Sequence, residues 1–519
     1  MIVTGLIKKG VYYDSVSLMI VSKELSKLDG IIDSSVIMGT SENKAILNMA
    51  GLNLKNFDDA SETDILIGIR ASTEIAADNA IRKIDQLFKD LQRNQDISTD
   101  QKIHSFEDAL KLLPGANLSL ISIAGKYAAG EAMKALKMGL HVMIFSDNVS
   151  ISEEIELKQY AHDHGLLLMG PDCGSAIINS IPLGFANVVK RGNIGIVGAS
   201  GTGLQEVSSV ISNNGAGISQ AIGTGGRDVR KEIGGIMFLD ALKTLSEDEE
   251  TQVIVLVSKP PHPDVLKKIG TELKKIRKPV IGILIGGDSE VLMQSGAISA
   301  FTLEEAGLFA VSVSNGKEIE SIKESLAKRK VEIFVLAESL AKGNKGRFLR
   351  GLFSGGTLCD EAQLVLKESI GLVYSNSPLH ADFQLKDCWK SKENSIIDLG
   401  EDEFTRGRPH PMIDFSLRNK RIIQEVADPD VSVILLDVVL GYGSHPDPAS
   451  ELVPVIVQAR EKSPGILIIG SVTGTDQDPQ NRKKVIQGLE NAGMIIMPSN
   501  VAASELAGQI IQKISSPNF

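Results

Sequence analysis

Residues Asn193 to Val207 read Asn-Ile-Gly-Ile-Val-Gly-Ala-Ser-Gly-Thr-Gly-Leu-Gln-Glu-Val. The apolar run Ile194 to Gly198 has the length of a buried strand, Ala199 to Gly203 is a turn of small residues, and an amphipathic helix follows from Leu204. Strand, glycine turn and helix in that order form the repeating unit of a parallel α/β sheet. Small residues in the turn let an anion approach backbone N–H groups at the helix N-terminus, and the Ser200 and Thr202 hydroxyls beside Gly201 add donors. The pattern recurs at Ser354, Gly355, Gly356 and Thr357, after the strand that opens at Phe348. Two such turns predict two anion cradles able to face one another; each also reads as a tight turn with a Ser or Thr N-cap.

Working outward, the 519 residues exceed one hydrophobic core and divide into four expected domains, 1–92, 105–190, 191–330 and 345–515. The first reads as a small α/β domain, with strands at Ile2 to Ile7, Ser34 to Met38 and Asp64 to Arg70 and helices between. It closes at a polar linker, Gln92 to His104. In 105–190, strands and helices alternate from Asn117 to Met169, which implies a parallel sheet with right-handed crossovers. The last two domains look like two copies of one architecture. The expected class is α/β, built of several doubly wound parallel-sheet domains behind the small N-terminal one.

A net charge of -11 argues against a nucleic-acid binder, because neutralising phosphates needs Lys and Arg in excess. Three cysteines, Cys173, Cys359 and Cys388, fit neither a disulfide framework nor a zinc site, so no metal is expected. No apolar run is long enough to span a membrane, and Lys8 and Lys9 follow the first apolar run, the reverse of a signal peptide. A cytoplasmic protein is the expectation.

Other loops carry chemical potential. In Gly223 to Asp228, Arg227 is suited to clamp a carboxylate or phosphate beside Gly225 and Gly226, with Asp228 orienting it; a surface Arg–Asp pair is the competing reading. In Arg406 to Asp414, Pro409 and Pro411 restrict the backbone of a cluster that carries Arg406, Arg408 and His410, a rigidity that suits an oxyanion-binding loop. Neither a Walker A motif nor a full dinucleotide fingerprint is present.

These residues resemble the succinyl-CoA synthetase superfamily. Gly170 to Cys173 is similar to the Gly-Pro-Asn-Cys turn of its α subunit, Gly195 to Thr202 to its Gly-Ile-Val-x-x-Ser-Gly-Thr loop, and Gly223 to Asp228 to a Gly-x-Gly-Gly-Asp turn. The resemblance implies a Rossmann-like CoA-binding-type domain at 105–190 and flavodoxin-like domains, α-like at 191–330 and β-like at 345–515, with no ATP-grasp domain. Met293 to Ala297 matches the family's phosphohistidine loop, but Gln294 stands at the histidine position and Lys259 where a supporting glutamate is expected. Glutamine cannot relay a phosphoryl group, so the ordinary ligase reaction should be absent.

A nearly end-to-end resemblance identifies the chain as similar to the FdrA family, on Ile7 to Gly10, Asp14 to Met19, Gly192 to Gly203, Gly225 to Asp228, Val257 to Pro261, Gly407 to Asp414 and Asp437 to Gly443. It implies one subunit of an oxamate carbamoyltransferase of anaerobic allantoin breakdown, acting with two other subunits and interconverting oxalurate plus phosphate with oxamate plus carbamoyl phosphate. On that reaction Ser200, Gly201, Thr202, Ser354, Gly355, Gly356 and Thr357 are expected to cradle the phosphate. Lys259, Arg406 and Arg408 would stabilise developing charge, Arg227 would hold the substrate carboxylate, and His410 would act as acid or base. No cofactor is required; CoA enters only through the superfamily. A homo-oligomer is compatible with all of this. An acyl-CoA synthetase and a non-catalytic scaffold are the rival expectations.

Overall fold

The computed structural model describes residues 1–516 except 11, 12, 14, 41, 42, 45, 46, 49, 96–104, 345, 406 and 407. The chain forms two compact units, Met1–Ala116 with Asp402–Pro409, and Asn117–Glu401 with His410–Phe519.

In the first unit, strands β1 (Ile2–Lys8), β2 (Ile31–Met38) and β3 (Ile65–Ala71) form one sheet in the order β1-β3-β2, with helices α1 (Ser15–Ser26), α2 (Glu74–Gln95) and α3 (Phe106–Leu112). Both outer strands run antiparallel to β3, with Ile2 opposite Ala71 and Met38 opposite Ile65. The β1-α1-β2 crossover is therefore split by β3, and the unit is not a doubly wound α/β sheet. Ile65, Ile67 and Ile69 on β3 pack with Leu18, Leu25, Ile84 and Phe88 from the helices. Helix α2 continues through Gln95, into the expected linker; residues 96–104 of that linker lie outside the described residues.

The second unit carries three sheets. Strands β4 (Leu118–Ile121), β5 (His141–Ile144) and β6 (Leu168–Met169) are parallel and joined by α4 (Gly125–Lys137) and α5 (Ile151–Asp163). The hairpin β7 (Ser175–Ile178) and β8 (Ile181–Gly184), expected with residues 105–190, instead adds an antiparallel edge to the next sheet through β10. That seven-stranded sheet runs β13-β12-β11-β9-β10-β7-β8, with β9 at Arg191–Ala199, β10 at Ile218–Gly223, β11 at Val253–Ser258, β12 at Val280–Leu284 and β13 at Ile298–Ala300. Its connecting helices are α6 (Gly201–Asn213), α7 (Ile236–Glu247), α8 (Pro263–Leu273), α9 (Glu290–Gln294) and α10 (Leu303–Ser314), and α11 (Glu320–Ala341) follows.

The third sheet, β15-β16-β14-β17-β18-β19, is wholly parallel, with β14 at Phe348–Phe353, β15 at Tyr374–Ser375, β16 at Ser395–Asp398, β17 at Val431–Val439, β18 at Leu467–Thr473 and β19 at Ile495–Met497. Helices α12 (Gly356–Ile370), α13 (Ser416–Glu425), α14 (Pro448–Lys462), α15 (Arg482–Asn491) and α16 (Asn500–Ile514) flank it.

In both large sheets the first strand of the repeat lies centrally, β9 between β10 and β11 and β14 between β16 and β17. Strand order reverses there, and the crevice beyond the carboxyl ends of strands at such a switch point is where α/β sheets bind ligands. The helices entered from β9 and β14 share one core: Leu204, Val207 and Ile211 of α6 cluster with Leu358, Ala362 and Leu366 of α12 and with Leu506 and Ile510 of α16. Fully burying a Leu, Val or Ile contributes about 1.5–3 kcal/mol, so this shared core holds the two switch points in one place.

Candidate functional site

The two glycine turns meet. Ser200 caps α6, its Oγ accepting from the Gly203 N–H at 3.2 Å, and the same hydroxyl lies 2.7 Å from Thr357 Oγ1 in the first turn of α12. A Cβ on Gly355 would stand 2.9 Å from the Thr202 side chain, so glycine is what lets the turns close on each other. Helix α6 begins at Gly201, three residues before Leu204, because the Ser200 cap makes the glycine stretch its first turn. Beyond Gly201, where an added Cβ would meet nothing within 4 Å, the turn opens into free space. Among the described residues the N–H groups of Gly201, Thr202, Gly356 and Thr357 have no protein acceptor, so two positive helix ends converge.

Part of the expected cradle is already filled. Asp437, beside β14 on β17, accepts from the Ser354 N–H at 2.8 Å, the Ser354 hydroxyl at 2.9 Å and the Gly355 N–H at 2.7 Å. Ser354 and Gly355 are thus corrected from phosphate ligands to ligands of an internal carboxylate. Arg418, fully buried on α13, donates through Nη1 to Asp437 Oδ1 at 3.0 Å and to the Asp437 carbonyl at 2.7 Å, over the Phe415 ring. Its Nε and Nη2 have no acceptor among the described residues.

Three charged groups border the α12 turn. Lys259, in the loop after β11, pairs with Asp360 Oδ2 at 2.6 Å. Burial presses its ammonium down, but Asp360, then Asp398 and Glu401, outweigh this and hold it above the usual value. Burial raises the Asp360 carboxyl, against the pull of Lys259. Asp398, at the end of β16, was not singled out from the sequence; burial, and then Glu401, push its carboxyl up to about 7. A cleft of about 370 Å³ lined by Lys259, Asp360, Lys367 and His380 reaches the Lys259–Asp360 pair from solvent.

His410 is a further correction. Burial, with Arg418 beside it, pushes its imidazole down to about 4, so it is neutral at pH 7 and not poised as an acid near neutrality. Nδ1 accepts from the Met412 N–H at 3.3 Å, which leaves the ring proton on Nε2, facing Gly400.

Arg227 and Asp228 are engaged elsewhere. Arg227 Nη2 donates to the Val149 carbonyl at 2.9 Å and pairs with Glu154 Oε2 at 2.8 Å. Asp228 accepts from Lys158 Nζ at 2.8 Å and caps α7 through the Phe238 N–H at 2.7 Å. The turn clamps α5 to the seven-stranded sheet instead of presenting a free guanidinium to a substrate. Gly225, with φ +83°, and Gly226 belong to this clamp, for a Cβ on Gly225 would lie 2.4 Å from the Pro171 carbonyl. Gln294 ends α9 with its amide donating to Glu290 at 2.8 Å, in a second cleft of about 640 Å³ with Lys267 and Lys274. It makes no hydrogen bond to either glycine turn. Arg406 and Gly407 lie outside the described residues, and Arg408, in the first unit, donates its N–H to the Thr405 carbonyl at 3.0 Å. Among the described residues no group of three or more His, Cys, Asp or Glu is placed to hold a metal ion, and no helix is long and apolar enough to cross a membrane.

Family models and relatives place this α/β chain in the succinyl-CoA synthetase and acyl-CoA synthetase-like superfamily. The description "CoA-ligase" matches residues 352–510 and "CoA binding domain" residues 189–285, which fall on the seven-stranded sheet rather than on 105–190. Residues 1–104 match "AllF, heavy metal-associated domain". That stretch contains no cysteine. Its donor set therefore does not fit a thiolate metal site.

The chain belongs to the family of the Escherichia coli protein YahF, described as uncharacterized, with which it is 41% identical over 512 residues, 98% of each chain. The α subunit 2 of the ADP-forming succinate–CoA ligase of Archaeoglobus fulgidus is 28% identical over 179 residues, covering 33% of this chain and 59% of that one. A solved apo dinucleotide-forming acetyl-coenzyme A synthetase 1 from Ca. Korarchaeum cryptofilum aligns over 76% of this chain and 82% of that one, at 17% identity and a TM-score of 0.31.

Proposed function

We propose that this chain is the phosphate-holding subunit of an oxamate carbamoyltransferase, working with two partner subunits on oxalurate plus phosphate and, in reverse, on oxamate plus carbamoyl phosphate. The observation that carries the reading is the meeting of Ser200 and Thr357 at 2.7 Å, which aims two helix N-termini at one place. An oxyanion there is held by backbone N–H groups and dipoles without a nucleotide or a metal ligand set. The match of residues 1–104 to an AllF domain supports the link to allantoin breakdown.

The chain's own residues divide the work. Gly201, Thr202, Gly356 and Thr357 bind the phosphate through N–H and hydroxyl donors. Lys259, tethered by Asp360 at the edge of the solvent-facing cleft, supplies positive charge to the transition state. CoA, were it to bind, would supply a thiol, and no step above uses one. Reconstitution of the full chain with its two partners, followed by phosphate-dependent cleavage of oxalurate, tests the reading. Carbamoyl phosphate should accumulate only with phosphate present; formation of ADP from ATP, CoA and a carboxylic acid would favour an acyl-CoA synthetase instead.

A further inference from the structure

Asp398 is anchored through its backbone and through one carboxylate oxygen. Its N–H donates to Asn376 Oδ1 and its carbonyl accepts from Asn376 Nδ2, both at 2.9 Å, while Oδ1 accepts from the Gly400 N–H at 2.8 Å. The other oxygen, Oδ2, has no hydrogen-bond donor among the described residues. It lies 2.7 Å from where a Cβ on Gly356 would stand, so the absent side chain lets this oxygen reach the first turn of α12. The residue is only 4% exposed.

The groups facing it are Glu401 from its own loop, Asp360 from α12, Lys259 from the loop after β11, and His410, whose Nε2 lies 3.0 Å from a Cβ position on Gly400 that is 3.1 Å from Asp398 Oδ1. A helix N-terminus ordinarily favours the carboxylate. Here burial and Glu401 prevail, leaving a carboxyl half protonated near neutrality. Asp437 presents a contrast, because both its oxygens are taken by Ser354, Gly355 and Arg418.

We infer that Asp398 is the acid–base residue of the carbamoyl transfer, giving its proton to the amide nitrogen of departing oxamate and taking it back in the reverse direction. The inference rests on the paired turns holding phosphate. A phosphate oxygen adds to the ureido carbon of oxalurate, the carbon–nitrogen bond breaks with its electron pair going to nitrogen, and that nitrogen takes the Asp398 proton. The attacking hydrogen phosphate gives up its own proton as the new carbon–oxygen bond forms, and this proton restores Asp398. The products are oxamate and carbamoyl phosphate, with atoms and charge balanced.

A dianion arriving at the same turn strengthens the hold of Asp398 on its proton, so anion binding and proton uptake are coupled. Sulfate tests this, because it does not itself titrate near neutrality. Calorimetric titration of the full chain with sulfate at about pH 7, in two buffers of different ionisation enthalpy, should show net proton uptake on binding. Asp398→Asn should still bind sulfate, lose the uptake, and in the reconstituted complex lower kcat by about 100-fold or more, with the limb of the pH profile near 7 removed. Retained uptake in Asp398→Asn, or full turnover with an unchanged pH profile, overturns the inference. Should that variant not fold, absence of uptake by the wild-type chain between about pH 6 and 8 overturns it equally. Failure of the wild-type chain to bind sulfate or phosphate at all would instead sink the phosphate-holding reading.

Discussion

The turn that opens α6 and the turn that opens α12 share a sequence pattern and a position in their sheets, but not an electrostatic setting. At α6 the cap is neutral, Ser200 accepting from Gly203, and space lies open beyond Gly201. Ahead of α12 the turn is tied instead to the Asp437 carboxylate, which is backed by a buried arginine, with Asp360 and Asp398 alongside. Both turns thus offer N–H donors to an anion, but only the α12 turn has beside it a carboxyl able to hold the proton that accompanies one. The helices repeat the pairing at depth, for Glu206 and Glu361 each stand six residues into their helix and both are raised first by burial, Glu361 to about 8.

The largest effect is expected at Arg418. Arg418→Ala leaves Asp437 buried without its partner and should destabilise the chain by about 3–5 kcal/mol, read as a lowered denaturant midpoint. An unchanged midpoint would mean that the α12 turn does not depend on the Asp437–Arg418 pair. Next in size, Gly201→Asp puts a carboxylate on the neutral turn without a steric clash and should weaken phosphate binding at least about tenfold, or about 1.4 kcal/mol, while Gly201→Ala changes it little. Equal affinities would remove α6 from the anion site.

A smaller effect should follow from Glu361. Its folded-state value lies above its ordinary one, so its stabilising contribution is complete below about pH 4.5 and is lost as pH rises towards 8. Glu361→Gln should flatten that decline in thermal melts taken across the window. His410 has the opposite sign, its contribution being complete above about 6.5 and lost as pH falls towards 4. Arg227→Ala should cost about 1 kcal/mol by unclamping α5, with phosphate affinity unchanged within about twofold. Smallest of all, Gln294→His should yield no ATP-derived phosphoprotein, because that position lies on α9 with its amide turned to Glu290.

Local patterns stand out in the sequence, and partners distant along the chain do not. Ser200 to Gly203 and Ser354 to Thr357 were readable because strand, small-residue turn and helix are local patterns. That they meet depends on a core shared by α6 and α12, which are far apart in the chain. Asp437 lies inside an apolar strand and caps a turn more than eighty residues earlier, a relation set by β14 and β17 being neighbours. Asp398 follows two isoleucines at the end of β16 and carries no motif; only burial and the missing side chain at Gly356 mark it. The Arg227–Asp228 pair was conspicuous, but its partners Glu154 and Lys158 belong to another sheet's crossover helix. In the N-terminal domain, apolar runs located the strands but carried no information on their direction, so the antiparallel order around β3 was not foreseen.

The most direct test of the account is a crystal structure of the full chain grown with tungstate, located by its anomalous scattering, in place of phosphate. The account predicts one anion between Gly201–Thr202 and Gly356–Thr357, in contact with both helix N-termini. An anion bound at Arg227 and not between the turns, or no anion at all, would contradict it.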